Sequence, residues 1–295
     1  MNEKHAYLIL AHNDPKVLEL LVRLLDDSRN DIYIHVDKKS DIDIFKNIRC
    51  SNSQLFVSQS VNVNWGGMSM VKAELLLMKM ALDNGEYSYY HLLSGVDLPI
   101  KSQDYIHDFF HKYAGKEFIG IACDDFNRND LFEKTSVYWP FIEYMRAKYK
   151  IVRYPLSIFR RGMAYIQKAL GVNRRYGMEL RKGPQWFSLT HNCVRYVLNM
   201  QKEIELKFKY IPCVDEIFLP TIVWNSPFQD NIYDMNDQFH SCMREIDWKR
   251  GNPYTWKKED WDFLKHSDRL FARKFSSDDV ELLSMLSLIQ KAQTN

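Results

Sequence analysis

Two short stretches carry the side chains best suited to chemistry. In Pro212-Cys213-Val214-Asp215-Glu216, two carboxylates open an apolar segment, Ile217-Phe218-Leu219. Acidic residues at a helix N-terminus are favoured by the peptide dipoles alone. The same pair also suits a general base held near a reacting hydroxyl in partly dry surroundings. In Leu270-Phe271-Ala272-Arg273-Lys274-Phe275, two cations lie between aromatic residues that would hold the segment in place. Such a pair suits an anion clamp, most plausibly for phosphate; a charged pair at a domain surface has the same composition. Asp97 is the lone carboxylate of Ser94-Gly95-Val96-Asp97-Leu98-Pro99, directly after the strand-like run Tyr87–Leu93. Open α/β sheets bind ligands at that place, although an ordinary Asx turn would use the same residues. Trp186, in Gln185-Trp186-Phe187, fits either a core position or a platform for a sugar ring.

Other chemistries find weaker support. Asp41-Ile42-Asp43 and Asp260-Trp261-Asp262 are DxD triplets, and paired carboxylates can carry a divalent metal that bridges phosphates. The first lies in a polar turn and the second inside a helical stretch, so both are poor metal candidates. Neither GxGxxG nor GxxxxGK[ST] occurs, nor do GxSxG or HExxH. The histidines read as structural or surface residues. The five cysteines, Cys50, Cys123, Cys193, Cys213 and Cys242, form no CxxC pair. A structural zinc site is therefore not expected, and free thiols fit a reducing compartment.

The elements that must position these residues alternate. Ala6–Ala11 reads as a buried strand, and Asp14-Pro15 opens a helix with an N-cap and a proline at its first position. Asp31–Val36 and Gln54–Ser58 are further strands, the former leading into Asp37. Trp65-Gly66-Gly67 ends an extended run, because adjacent glycines allow backbone angles that a Cβ forbids. Ser69 is a candidate cap for the next helix, in which Val71, Leu75, Met78 and Leu82 form one apolar stripe. Asp83-Asn84-Gly85 stops it. Ser102 caps a helix bearing Ile106, Phe109, Phe110 and Tyr113, and Phe118–Ala122 is a strand. This alternation predicts an α/β fold with a mainly parallel central sheet flanked by helices. Beyond residue 122 the pattern loosens. A strand over 184–189, helices over 192–202 and 257–265, and a capped helix from Ser277 to about Lys291 are expected.

Size and charge bound the rest. At 295 residues, one domain or two small ones are possible, and a formal charge of +2 gives no reason to expect a nucleic-acid partner. The apolar run Ala6–Ala11 is too short for a secretory or membrane-spanning segment, so a cytosolic location is expected.

Seven segments occur in a fixed order: AYLILAHNDP, YIHVDKKS, VNWGGMSMVKAEL, YYHLLSGVDLPIKS, GPQWFSLTHNCVRYVL, PCVDEIFLPTIVWNSPF and LFARKF. Together they resemble the core-2/I-branching β-1,6-N-acetylglucosaminyltransferase and peptide O-xylosyltransferase family, from about Ala6 to Phe275. The resemblance implies a single GT-A-like nucleotide-sugar-binding domain, with residues 1–122 as the nucleotide half and 123–295 as the acceptor and catalytic half. It implies an inverting transferase that uses a UDP-sugar without a cofactor or bound metal. By position in the motifs, Glu216 is the base, and Lys274 contacts the diphosphate with Arg273 beside it. Asp37 and Trp65 lie on the nucleotide side, Asp97 and Trp186 line the sugar site, and Gly66 and Asp215 are further nucleotide- or sugar-binding candidates. Relatives carry a second basic contact within HPR or HPK. Here Asn252-Pro253-Tyr254 stands in that place, leaving Tyr254 or Arg250 to replace it. The Golgi anchor and disulfide-forming cysteines of the animal members are missing, which implies a bacterial, cytosolic enzyme acting on a surface glycan.

Two rival readings stay open: a metal-dependent nucleotidyl- or glycosyltransferase using a DxD triplet, and a non-catalytic UDP-sugar-binding subunit. The donor (GlcNAc and xylose lead) and the glycan acceptor are not specified. One further segment stands out. Residues 146–182 hold eleven Lys or Arg and one acidic residue, Glu179, interleaved with apolar side chains. A solvated face accounts for this, as does peripheral contact with the anionic inner face of a membrane that carries a lipid-linked acceptor.

Overall fold

The structure, a computed structural model, describes residues 4–146 and 149–289. Ala147 and Lys148 of the basic segment, and the expected helix end at Lys291, lie outside the described residues.

The first half alternates as its periodicity predicts. It runs β1 (His5–Ala11), α1 (Pro15–Leu25), β2 (Asn30–Val36), β3 (Gln54–Ser58), α2 (Met68–Asn84), β4 (Tyr89–Ser94), β5 (Asp97–Pro99), α3 (Gln103–Lys112) and β6 (Phe118–Ile119). Then follow α4 (Asp125–Thr135), α5 (Lys150–Ala169), β7 (Phe187–Thr190), α6 (His191–Asn199), α7 (Gln201–Phe208) and α8 (Phe218–Trp224). The chain closes with α9 (Gln238–Ser241), β8 (Arg244–Ile246), α10 (Trp261–His266), β9 (Phe271–Arg273) and α11 (Val280–Ser287).

The main sheet has the order β3-β2-β1-β4-β7-β6. Strands β3, β2, β1 and β4 are mutually parallel, and only β7 runs against its neighbours. The architecture is therefore α/β with a mainly parallel central sheet flanked by helices. Both faces are buried, and β1 and β4 are accordingly almost continuous apolar runs. Helices α2, α6 and α8 pack on one face. Helices α1, α3 and α11 cover the other, together with a small second sheet of order β5-β9-β8. The crossover direction reverses between β1 and β4, so the strand ends there form the switch point at which such sheets take ligands.

Arg244 fastens the two sheets together. Its fully buried guanidinium donates to the carbonyls of Cys242, Leu92 and Phe187, and burial lowers its pKa to about 10. Nearby, His5 stacks on His107 at 4.1 Å and bonds His91 at 3.1 Å, all three buried. Burial lowers the pKa of His5 and His91, so these are neutral core residues.

Several boundaries differ from expectation for local reasons. Gly67, not Ser69, occupies the cap of α2; Ser69 lies inside the helix and bonds Asn64 and Glu143. Asp279, not Ser277, caps α11, whereas the Ser277 amide donates to Asp14. The expected strand Phe118–Ala122 pairs only through Ile119, and the strand expected from residue 184 begins at Phe187. Gly120 and Gly183 cross there backbone against backbone, too closely for any Cβ at Gly183. The helix expected over 192–202 breaks at Met200 into α6 and α7. That expected over 257–265 is a 3-10 turn, Lys258–Asp260, followed by α10.

Candidate active site

The Asp215-Glu216 pair forms a 3-10 turn, Val214–Glu216, ahead of α8. Cys213 enters the turn at φ 51°, a left-handed conformation, and its amide donates to the Gly66 carbonyl at 2.9 Å. Gly66 itself sits at φ +70°, a conformation open to glycine at little cost. The Trp65-Gly66 turn and the turn that bears the carboxylates thus lock together. Arg146 lies 3.5 Å above the Trp65 ring, whose outer side stays exposed.

The two carboxylates differ in surroundings. Glu216 reaches the surface, its side chain about one-third exposed, with Lys182 at 3.6 Å and Lys134 at 3.8 Å. Both lysines make shorter contacts to Asp130, at 2.6 and 2.8 Å. Glu216 therefore faces a pair of cations already part-neutralised by a third carboxylate. Asp215 points inward. Burial pushes its pKa up to about 7, the Glu216 charge adding to the effect, and its Oδ1 has no hydrogen-bond partner. Glu74 of α2 lies fully buried nearby. Burial raises its pKa well above the carboxylate range, with Asp215 reinforcing the shift.

The segment Gly183–Trp186 ties this region to the second cluster. Gly183 N donates to the Glu216 carbonyl at 2.9 Å, and Gln185 Nε2 donates to Glu74 Oε1 at 2.7 Å. Trp186 carries the Arg273 guanidinium over its ring at 4.6 Å. Three Cα steps, at most about 11 Å of chain, separate Gly183 from Trp186. The region around Glu216 and the Arg273-Lys274 segment therefore adjoin in space, although they are far apart in sequence.

In that cluster, Asp97 of β5 lies opposite Arg273 of β9 in an antiparallel pair. Its buried carboxylate accepts from Ser94 N and Ser94 Oγ, each at 2.8 Å, and from Arg273 at 2.6 Å. Asp97 thus lies just past the end of β4, engaged with its neighbours. Arg273 is answered by Asp97, whereas Lys274, among the described residues, has no ion-pair partner. Trp186 is buried and serves as the floor under Arg273. Asp37, past the end of β2, accepts from the amides of Lys39 and Val63. His12, past the end of β1, has its pKa lowered by desolvation, Asp37 opposing and Arg273 adding to the shift. Asp37 and Arg273 therefore both lie near His12 at the strand ends.

Arg250 is held by Asp247 and Asp260, at 2.5 and 2.7 Å, and lies 4.0 Å over the Tyr254 ring. The two alternatives for the second basic contact are thus stacked together, beside the Trp256 that bonds the Arg273 and Lys274 carbonyls. The DxD triplets are occupied locally: Asp41 accepts from the Asp43 amide, and Asp260 accepts from Arg250 and Lys257. Among the described residues, no three His, Cys, Asp or Glu side chains converge as metal ligands.

Residue types and spacing did not single out Lys134, Lys182, Asp130 or Glu74. Glu74 had a visible signal, since it falls three residues after Val71 on the buried stripe of α2. The lysines had none, because their convergence on Glu216 depends on tertiary structure. Two cavities stand out among the described residues. One of about 490 Å³ lies among Leu18, Ile34, Val36 and Phe45. Those residues belong to the core on the face opposite Val214 and Ile217. The other, of about 330 Å³, has Lys134 in one wall and Arg160 and Arg161 of α5 in another.

A model of the Core-2/I-Branching enzyme family matches residues 5–268. Rat xylosyltransferase 1 is 23% identical over 294 residues, covering 92% of this chain and 33% of that protein. Human xylosyltransferase 2 is 23% identical over 310 residues, covering 95% and 33% respectively. The xylosyltransferase oxt of Drosophila melanogaster is 24% identical over 275 residues, covering 82% and 28%. The chain thus spans about a third of the length of these relatives.

Proposed function

The chain belongs to the Core-2/I-branching enzyme family, and from that premise we propose that it is an inverting glycosyltransferase that moves a sugar from a UDP-sugar to a hydroxyl of a glycan. Its similarity to xylosyltransferases and its family membership make xylose and N-acetylglucosamine the leading donors. The α/β architecture, with its switch point between β1 and β4, agrees with a GT-A-like nucleotide-sugar fold. One observation carries the reading: Gly183–Trp186 joins a solvent-reaching carboxylate, Glu216, to a cationic strand end, Arg273-Lys274.

In the reaction, Glu216 takes the proton of the acceptor hydroxyl. The oxygen attacks the anomeric carbon as the bond to the β-phosphate oxygen breaks on the opposite face, so the configuration inverts. A single displacement needs one base and no protein nucleophile. Negative charge grows on the departing UDP, and Lys274, the cation of its pair without a carboxylate partner among the described residues, stabilises it. Arg273 holds the strand through Asp97 and Trp186. We read the transfer as independent of a metal, because the cationic strand end can meet the diphosphate and both DxD triplets already serve as local acceptors. The unpaired cysteines fit a reducing compartment, and there we place the reaction as a step in surface-polysaccharide synthesis.

The test is UDP release across a panel of UDP-sugars, with and without EDTA and glycan acceptors. The reading expects release from UDP-xylose or UDP-N-acetylglucosamine that EDTA leaves unchanged. Loss of release in EDTA that added Mn²⁺ restores would overturn the metal-free mechanism. UDP binding without turnover on any acceptor would make the chain a binding subunit.

A further inference from the structure

Helix α5 is inside out for a globular protein. Its buried residues are Arg160, Ala164 and Gln167, with Leu156 and Met163 half-buried beside them, and Gln167 fastens it by accepting from the Tyr138 amide and donating to the Tyr138 carbonyl. The outward side is apolar. Ile151, Ile158 and Tyr165, spaced by seven residues and hence almost in line, are 84%, 73% and 76% exposed. Tyr154, Phe159 and Ile166 flank them and are also exposed. Nothing in the described structure covers this stripe. The residues from 150 to 169 include five cations and no carboxylate. Of these, Arg160 is buried and Lys168 is paired with Glu133 at 2.6 Å. Lys150, Arg153 and Arg161 have no carboxylate partner among the described residues.

We propose that α5 is an interfacial helix that seats the chain on an anionic phospholipid bilayer. An apolar face with aromatic residues, bordered by uncompensated cations, matches the acyl boundary and the headgroup layer together. A second copy of the chain is the poorer occupant, because stacking two such faces would bring their cations together without a carboxylate between them. The position gives docking a purpose. Ser157, Arg160 and Arg161 of α5 form one wall of the 330 Å³ cavity, and Lys134, 3.8 Å from Glu216, lies in another. A seated helix holds that cavity, and the proposed base behind it, just behind α5 as seen from the bilayer, one helix diameter or about 10 Å away. This purpose rests on the proposed role of Glu216; the docking itself does not.

Flotation with vesicles of phosphatidylcholine, with and without phosphatidylglycerol, at low and high salt, tests the proposal. Wild type should float with the anionic vesicles at low salt and detach at high salt. The variant Ile151→Ser/Ile158→Ser/Tyr165→Ser should lose binding by tenfold or more. Lys150→Glu and Arg153→Glu should each weaken it by about fivefold or more. All three variants should keep the far-UV circular dichroism and the thermal unfolding midpoint of wild type, which shows that they fold and separates this test from that of the transferase reading. Failure of wild type to float with anionic vesicles at low salt would overturn the proposal. Binding that survives loss of the stripe would overturn it too, as would a dimer in solution that the stripe variant dissociates without any vesicle binding.

Discussion

Lys274 and Arg273 are adjacent cations with different surroundings. Asp97 pairs with Arg273, whereas Lys274 has no ion-pair partner among the described residues. Lys274→Ala should therefore weaken UDP binding and slow transfer by about a hundredfold, since the charge it meets grows in the transition state. Steady-state kinetics beside UDP titration check this, and unchanged kcat would remove Lys274 from the diphosphate site. Glu74 offers a test of the buried polar network. Its folded pKa lies well above its ordinary value of 4.5. Below pH 4.5 the folded and unfolded forms both hold the proton; above it the unfolded chain releases it and the folded chain does not. Wild type therefore loses stability as pH rises from about 4.5 through the folded pKa. Glu74→Gln keeps an acceptor for Gln185 and has no proton to release. Its Tm should match wild type near pH 4 and exceed it near pH 8; a variant less stable at pH 8 would contradict this.

At the scale of elements, α2 shows what local pattern can and cannot reveal. Its stripe, Val71, Leu75 and Met78, is buried as the period predicts, and Glu74 on the same face is readable once the period is known. Its N-terminus was misread because Ser69 is a good capping type, while the group that serves the start of the helix is Glu143. That carboxylate accepts from Ser69 N, Ser69 Oγ and Asn64 Nδ2 at 3.0, 2.6 and 3.2 Å, from a separation of 74 residues or more. No local rule reports such a partner. Glu143→Ala should lower stability by about 1–2 kcal/mol and loosen the Trp65-Gly66 turn that holds Cys213. Chemical denaturation measures the first effect, and an unchanged midpoint would show that the cap is idle. The same limit applies to the site. The motifs around Asp97 and Arg273 could be picked out one by one, but their cross-strand pairing, 176 residues apart, could not. The outward apolar face of α5 was likewise hidden, because interleaved charge and apolar residues fix a helix period and not which side is buried.

For the whole molecule, the main sheet places its switch point at the β1/β4 ends, and the second sheet brings Asp97 and Arg273 together just past β4. Gly183–Trp186 joins that edge to the turn bearing Glu216, which the Gly66 carbonyl holds from the other side. All of this geometry converges on one carboxylate, the proposed base. Glu216→Gln preserves its shape and hydrogen-bonding reach while removing its basicity. The decisive measurement is the rate of sugar transfer by this variant, set beside its affinity for UDP. Transfer should fall by roughly a hundredfold or more with UDP affinity little changed. Transfer retained at close to the wild-type rate would show that Glu216 is not the base.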